Sequence, residues 1–93
     1  MRESSIESRL RTEAAKRGGL ALKFVSPGMD GVPDRLVLMP GGRCAFVELK
    51  APGKTPRKLQ IKRMSQLRKL GFLVYVADDT GMIGGILDEI CGT

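Results

Sequence analysis

The chain has 93 residues, enough for one small domain spanning 1–93. It contains no histidine. That excludes imidazole general bases, histidine-metal nuclease motifs, Ser-His-Asp triads and typical zinc sites, and leaves proton transfer to carboxylate, lysine, tyrosine or metal-bound water. The formal net charge of +6, from 16 Lys+Arg against 10 Asp+Glu, favours a polyanionic partner over a neutral or acidic one. Ordinary solubility is the bland alternative. At 4% aromatic residues, stacking platforms for single-stranded bases are poorly supported, and backbone contacts to duplex or branched nucleic acid fit better. No apolar run approaches the ~20 residues of a membrane span. The start, Met1-Arg-Glu-Ser-Ser-Ile-Glu7, is charged and amphipathic, unlike a signal peptide. Cys44 and Cys91 lack metal spacing and read as reduced thiols of a cytosolic protein.

Residues 5–17 predict a helix, because Ile6, Leu10 and Ala14 recur every four and Gly18-Gly19 stops it. Leu20-Ala-Leu-Lys-Phe-Val25 predicts a strand, followed by a loop of turn residues over 26–33. Two strands are expected at 35–39 and 43–49, separated by Pro40-Gly-Gly. After the loop Ala51-Pro-Gly-Lys-Thr-Pro56, Thr55 is expected to cap a second helix, with Pro56 at its first position, running to about Leu70. Phe72–Ala77 predicts a strand and 82–90 a last short helix. The order α-β-β-β-α-β-α implies an α/β (α+β) fold, a mixed β-sheet flanked by helices.

In the second helix, Leu59, Met64, Leu67 and Leu70 share one arc at 100° per residue, joined by Gln60 and Arg63. Arg57, Lys58, Lys62, Arg68 and Lys69 occupy the other arc. Such a cationic face suits phosphate contact, although lysine-rich helices commonly carry a merely solvated face.

The chemistry concentrates in Gly31-Val-Pro-Asp34 and Phe46-Val-Glu-Leu-Lys50. Glu48 and Lys50 point to one face of their strand, roughly 6–7 Å apart along it. A mostly apolar strand seldom carries a carboxylate and an ammonium together, since desolvating charge is costly. If the two strands pair as a hairpin, the start of the first meets the end of the second, and Asp34 lies beside Glu48 and Lys50. Two carboxylates converging beside a lysine can hold a hard divalent cation and orient a water at a phosphodiester.

Pro33-Asp34 followed by Glu48-Leu-Lys50 resembles the signature of the PD-(D/E)xK nucleases. The longer string, Lys23-Phe-Val-Ser-Pro-Gly28, Gly31-Val-Pro-Asp-Arg-Leu-Val-Leu38, Phe46-Val-Glu-Leu-Lys-Ala-Pro-Gly53 and Leu59-Gln60, is similar to the VRR-NUC domains, the virus-type replication-repair nucleases, over nearly the whole chain. The resemblance implies a restriction-endonuclease-like core and Mg²⁺- or Mn²⁺-dependent cleavage of DNA. It further implies a phage-type, stand-alone homodimer acting on branched DNA such as four-way (Holliday) junctions, in the cytoplasm of a bacterial or phage-infected cell.

By that resemblance, Asp34, Glu48 and the backbone carbonyl of Leu49 are metal ligands. Lys50 orients or deprotonates the attacking water, or steadies charge on the phosphate. Glu7 completes the acidic site through water, while Ser4-x-x-Glu7 also reads as a capping box. Gln60, on the packing arc, must find partners and is expected to bind Lys50, the water or a phosphate. Lys54, Arg57, Lys58, Lys62 and Lys69 are the candidates for DNA backbone contact. A dimer interface is expected at the apolar stretch Met82-Ile-Gly-Gly-Ile-Leu87 or on a face of the first helix. A catalytically silent DNA-binding module, or a nuclease of broader range including RNA, would share much of this pattern. Clustered acids near phosphates would weaken binding without metal, which argues against the silent module.

Overall fold

The computed structural model describes residues 2–92. In chain order the elements are α1 (Glu3–Lys16), β1 (Leu20–Lys23), β2 (Arg35–Met39), β3 (Arg43–Leu49), α2 (Lys58–Lys69), β4 (Leu73–Ala77) and α3 (Ile83–Cys91). Short 3₁₀ turns at Pro40–Gly42 and Thr80–Met82 precede β3 and α3. The strands form one sheet in the order β1-β2-β3-β4. β1, β2 and β3 pair antiparallel, and β4 runs parallel to β3. The expected mixed sheet flanked by helices is therefore present, in the expected order.

β2 and β3 fall on the expected residues because alternation and turn chemistry agree. Gly41 and Gly42 adopt φ of 83° and 74°, which a side chain would oppose, so the connection closes tightly and fixes the register Leu38↔Cys44 and Leu36↔Phe46. β1 stops at Lys23, two residues short of expectation. Phe24 N–H still donates to Asp34 O at 2.8 Å. The next position would face Pro33, which has no N–H, so the ladder ends there.

The two sheet faces differ. On one, Ile6, Leu10 and Ala14 of α1 and Ile83, Ile86, Leu87 and Ile90 of α3 form a single core with Val37, Met39, Ala45, Val47, Leu49 and Ala77. Each fully buried aliphatic side chain there contributes about 1.5–3 kcal/mol relative to exposure. This corrects the interface expectation for 82–87: three of those residues are core because α3 supplies the second helix covering this face. The apolar stripe of α1 is spent on the same core, leaving a polar outer side.

On the other face α2 lies against β4. Its buried positions are Gln60 and Met64. Leu59 and Leu70, expected to pack, are exposed, because α2 approaches the sheet at its edge and does not cross it. The register places Leu20, Leu22, Leu36, Leu38, Cys44 and Phe46 together on this face, beside the edge-to-face cluster Phe24–Phe46–Phe72. Toward β1 the face is open, with Leu20 59% and Leu22 42% exposed.

Candidate active site

The antiparallel register Arg35↔Val47 sets Asp34 across from Glu48 at the end of the hairpin. Reciprocal bonds tie them. The Asp34 N–H donates to Glu48 Oε1 at 3.2 Å, and the Leu49 N–H donates to Asp34 Oδ1 at 3.0 Å. The second bond fixes the Leu49 peptide that lies between Glu48 and Lys50. Lys50 Nζ sits 3.2 Å from Glu48 Oε2, and both side chains are largely buried. The Lys50 N–H donates to Ala77 O at 3.0 Å, so the parallel strand β4 holds the residue in place.

Gln60 completes the group. Its Nε2 donates to Glu48 Oε2 at 2.9 Å, and its Oε1 accepts the Arg57 N–H at 2.8 Å. The partner is thus the acid itself, not the lysine expected as one possibility. The same bonds explain why α2 begins later than Thr55-Pro56 suggested. With Gln60 accepting from the residue three positions before it, Arg57 becomes the N-cap, in extended geometry, and Thr55 and Pro56 stay in the loop.

Electrostatically the acids are held under tension. Burial pushes the Asp34 carboxyl above its ordinary range, offset in part by the Leu49 N–H and by the charges of Arg35 and Lys50. Burial, and after it the Asp34 charge, pushes Glu48 up as well, against the pull of Lys50. A cation between these carboxylates would relieve both.

The donor set fits a hard divalent ion. Asp34, Glu48 and the Leu49 carbonyl offer only oxygen, and among the described residues no group of three or more His, Cys, Asp or Glu side chains lies close enough to share one ion. Mg²⁺-type ions suit so sparse a set, since they keep several waters and take one or two carboxylates plus substrate phosphate.

Glu7 lies apart from this group. α1 starts at Glu3 with Arg2 as N-cap and no side-chain cap, so the Ser4–Glu7 capping box does not form. Ser4 is already inside the first turn. The Glu7 carboxylate instead pairs with Arg35 at 3.0 Å and more loosely with Arg11 at 3.9 Å. Arg35 was not singled out from the sequence. The available signal was a charged residue on the core-facing side of β2, in step with Val37 and next to Asp34. Its guanidinium is mostly buried and links α1 to the start of the site strand.

The expected DNA contacts are all exposed. Lys54, Arg57, Lys58 and Lys62 gather around the first turns of α2, the end that carries Gln60, while Lys69 lies at the far end. Arg68, by contrast, is engaged by the Val74 carbonyl at 2.9 Å.

No family model matches the chain. A curated protein named "Putative nuclease p44", from Acyrthosiphon pisum secondary endosymbiont phage 1, is 53% identical over 78 residues, covering 84% of each chain. A solved structure described as "VRR_NUC domain" superposes with a TM-score of 0.85 at 28% identity, over 92% of this chain and 94% of that one. Sequence identity of that extent, together with the shared fold, places this chain in the VRR-NUC domain family.

Proposed function

We propose that this protein is a divalent-metal-dependent endonuclease that hydrolyses the DNA backbone, selects branched DNA such as four-way junctions, and works as a homodimer. The observation that carries the reading is the joining of Asp34, Glu48, Lys50 and Gln60 by bonds of 2.9–3.2 Å in a largely buried cluster. The family relation and the phage nuclease relative support the same reading.

Asp34 and Glu48, with the Leu49 carbonyl, would hold Mg²⁺ or Mn²⁺. When bound, such an ion polarises a phosphoryl oxygen and lowers the pKa of a coordinated water. Gln60 keeps the Glu48 carboxylate oriented. Lys50 reaches from the same face to the attacking water or to the phosphate oxygens, where its positive charge opposes the developing negative charge. The water attacks phosphorus in line, and the P–O bond opposite it breaks. Lys54, Arg57, Lys58 and Lys62 flank this point and hold the backbone. Glu7 stays a proposed contributor through water, dependent on its release from Arg35. Two free thiols agree with action on cytoplasmic DNA, and among the described residues no helix is long and apolar enough to cross a membrane.

The decisive assay compares a labelled four-way junction, nicked duplex and plain duplex with Mg²⁺, Mn²⁺ or EDTA. Metal-dependent paired cuts near the junction centre are expected. Equal cutting of plain duplex would remove junction selectivity, and binding without cutting under any metal would leave only a silent module.

One protomer carries one such cluster, so symmetric nicks require two copies. The open sheet face around Leu20 and Leu22 is the surface we assign to the dimer. The side chains that alternate onto it from β1, β2 and β3 as far as Phe46 are uncharged, which suits a like copy and not a polyanion. Leu22→Glu is expected to convert the dimer to monomer in sedimentation velocity and paired cuts to single nicks. A dimer unchanged by this charge would exclude the face.

A further inference from the structure

Further along α2 from the acid cluster, the loop over 26–33 and the helix border an apolar depression of ≈ 440 Å³. Met29 and Val32 of the loop and Leu67 and Leu70 of the helix form its walls, and Arg63 and Lys69 stand among them with Gln66. Leu70 is 73% exposed and Met29 47%, an unusual cost for large apolar side chains that serve no packing. The walls are braced. Arg63 Nε donates to the Asp30 carbonyl at 2.8 Å. Gly31, at φ +87°, lies so close to α2 that a Cβ there would come within 2.8 Å of Leu59 Cγ. Loop and helix therefore meet in a way only glycine permits.

Both walls belong to segments that also carry the site. The loop runs directly into Pro33-Asp34. The helix begins with Gln60 on Glu48, and Leu67 lies two turns further along, roughly 10 Å by helix geometry. A nucleotide neighbouring the scissile phosphate would reach the depression.

The chemistry suits a base carrying its phosphate. Aliphatic walls and a thioether accept the faces of a flat ring, and a methionine sulfur contacts ring edges favourably. The Gln66 Oε1 accepts from Arg63 Nη1 at 3.1 Å, which leaves its Nε2 to meet a base edge. Arg63 and Lys69 complement the phosphate, and the chain's net charge of +6 points to an anionic occupant, not to an apolar segment of another protein. The volume lies in the ordinary range of small-ligand pockets. A base still paired and stacked cannot enter, whereas one at a branch or nick can be turned out at low cost.

We propose that this depression is a nucleobase pocket that takes one unstacked base next to the cut, and that it supplies selectivity for branched DNA. The proposal rests on the nuclease reading above, deepening it by naming what recognises the substrate.

Leu70→Gln and Met29→Gln test it. Both residues are exposed, neither change alters charge, and neither residue belongs to the acid cluster. The measurement is junction binding in a Lys50→Ala background, using DNA with each branch-proximal nucleotide in turn intact or abasic. At one position the abasic change is expected to weaken binding by roughly tenfold, the scale of one lost base contact. Either pocket variant should weaken the intact junction by a similar factor and be insensitive to that abasic change. Additive effects, or variants that bind every junction like their parent, would overturn the pocket. So would variants whose effect falls on oligomeric state, since the occupant would then be protein. Coupling seen with a parent protein that cuts no DNA under any metal would uphold the pocket and sink the nuclease reading. A parent that binds no DNA would sink both.

Discussion

Lys50→Ala is expected to lower the rate of metal-dependent DNA cutting by about 10³-fold while leaving DNA affinity nearly unchanged, as read by single-turnover cleavage and by binding in EDTA. The expectation follows from position. Lys50 Nζ is 3.2 Å from Glu48 Oε2 with only 17% of its side chain exposed. A cation held there, largely out of water, acts on charge more strongly than a surface lysine does. The residues assigned to the DNA backbone, Lys54, Arg57, Lys58 and Lys62, remain in place, so binding loses only one cation of several. Lys50→Arg separates the two roles left open for this side chain. Retained rate with an unshifted pH profile would mean that charge stabilisation suffices, since guanidinium does not give up its proton. Loss as complete as with alanine would favour proton transfer or a geometry only lysine fits. Near wild-type cutting by Lys50→Ala would remove the residue from the chemistry.

Asp34→Asn should make the metal-free protein more stable and abolish its stabilisation by divalent metal, with cutting reduced to background. Both site carboxyls titrate above their ordinary values of 3.8 and 4.5, burial being the first cause for each and the Asp34 charge the second for Glu48. Both groups are raised on folding. Their contribution to stability is complete below the unfolded values and is lost as pH rises through the raised folded values. At neutral pH the metal-free protein therefore carries two disfavoured charges. Asparagine removes one, relieves Glu48, and keeps an oxygen for the Leu49 N–H. A gain of ~1 kcal/mol would raise the melting temperature of a domain this size by about 4–8 °C. Melting curves with and without Mg²⁺ read both effects. An equal metal-induced shift in the variant would show that Asp34 is not a ligand, and a lower metal-free melting temperature would show that its bonds outweigh its charge cost.

The hairpin of the site was legible in the sequence because its determinants are local. Alternation in residues 35–39 and 43–49, with two glycines between, leaves one register, and that register alone sets Asp34 opposite Glu48. The buried stripe of α1 was legible for the same reason, as Ile6, Leu10 and Ala14 all lie in the core. What escaped depends on contacts between elements. Of the α2 packing arc, Gln60 and Met64 are buried as expected, whereas Leu59 and Leu70 at its two ends are exposed, because the sequence does not show how much of the helix the sheet covers. Its start was misplaced because Thr55-Pro56 is a good local cap, and the stronger claim of Gln60 on Arg57 exists only once Glu48 is in place. Glu7 reads as part of the acidic site by resemblance and as a capping residue by spacing. The partner that takes it, Arg35, lies 28 residues away in sequence and on another element. The apolar stretch at 82–87 looked free because the sequence does not show that one sheet face needs two helices.

Gln60 sets the smallest portable form of this centre. The oxygen of its amide closes the first turn of α2, while its nitrogen secures Glu48. Helix nucleation and acid alignment therefore share a single side chain and do not vary independently. Transplanting residues 34–50 alone onto another scaffold would carry the acids without their clamp. A graft that preserves the centre must extend through the opening turn of the helix, bringing with it the basic residues that lie there. Diversification of this basic turn is constrained by the same linkage, because substitutions that tilt it would also loosen the carboxylate they were never meant to touch.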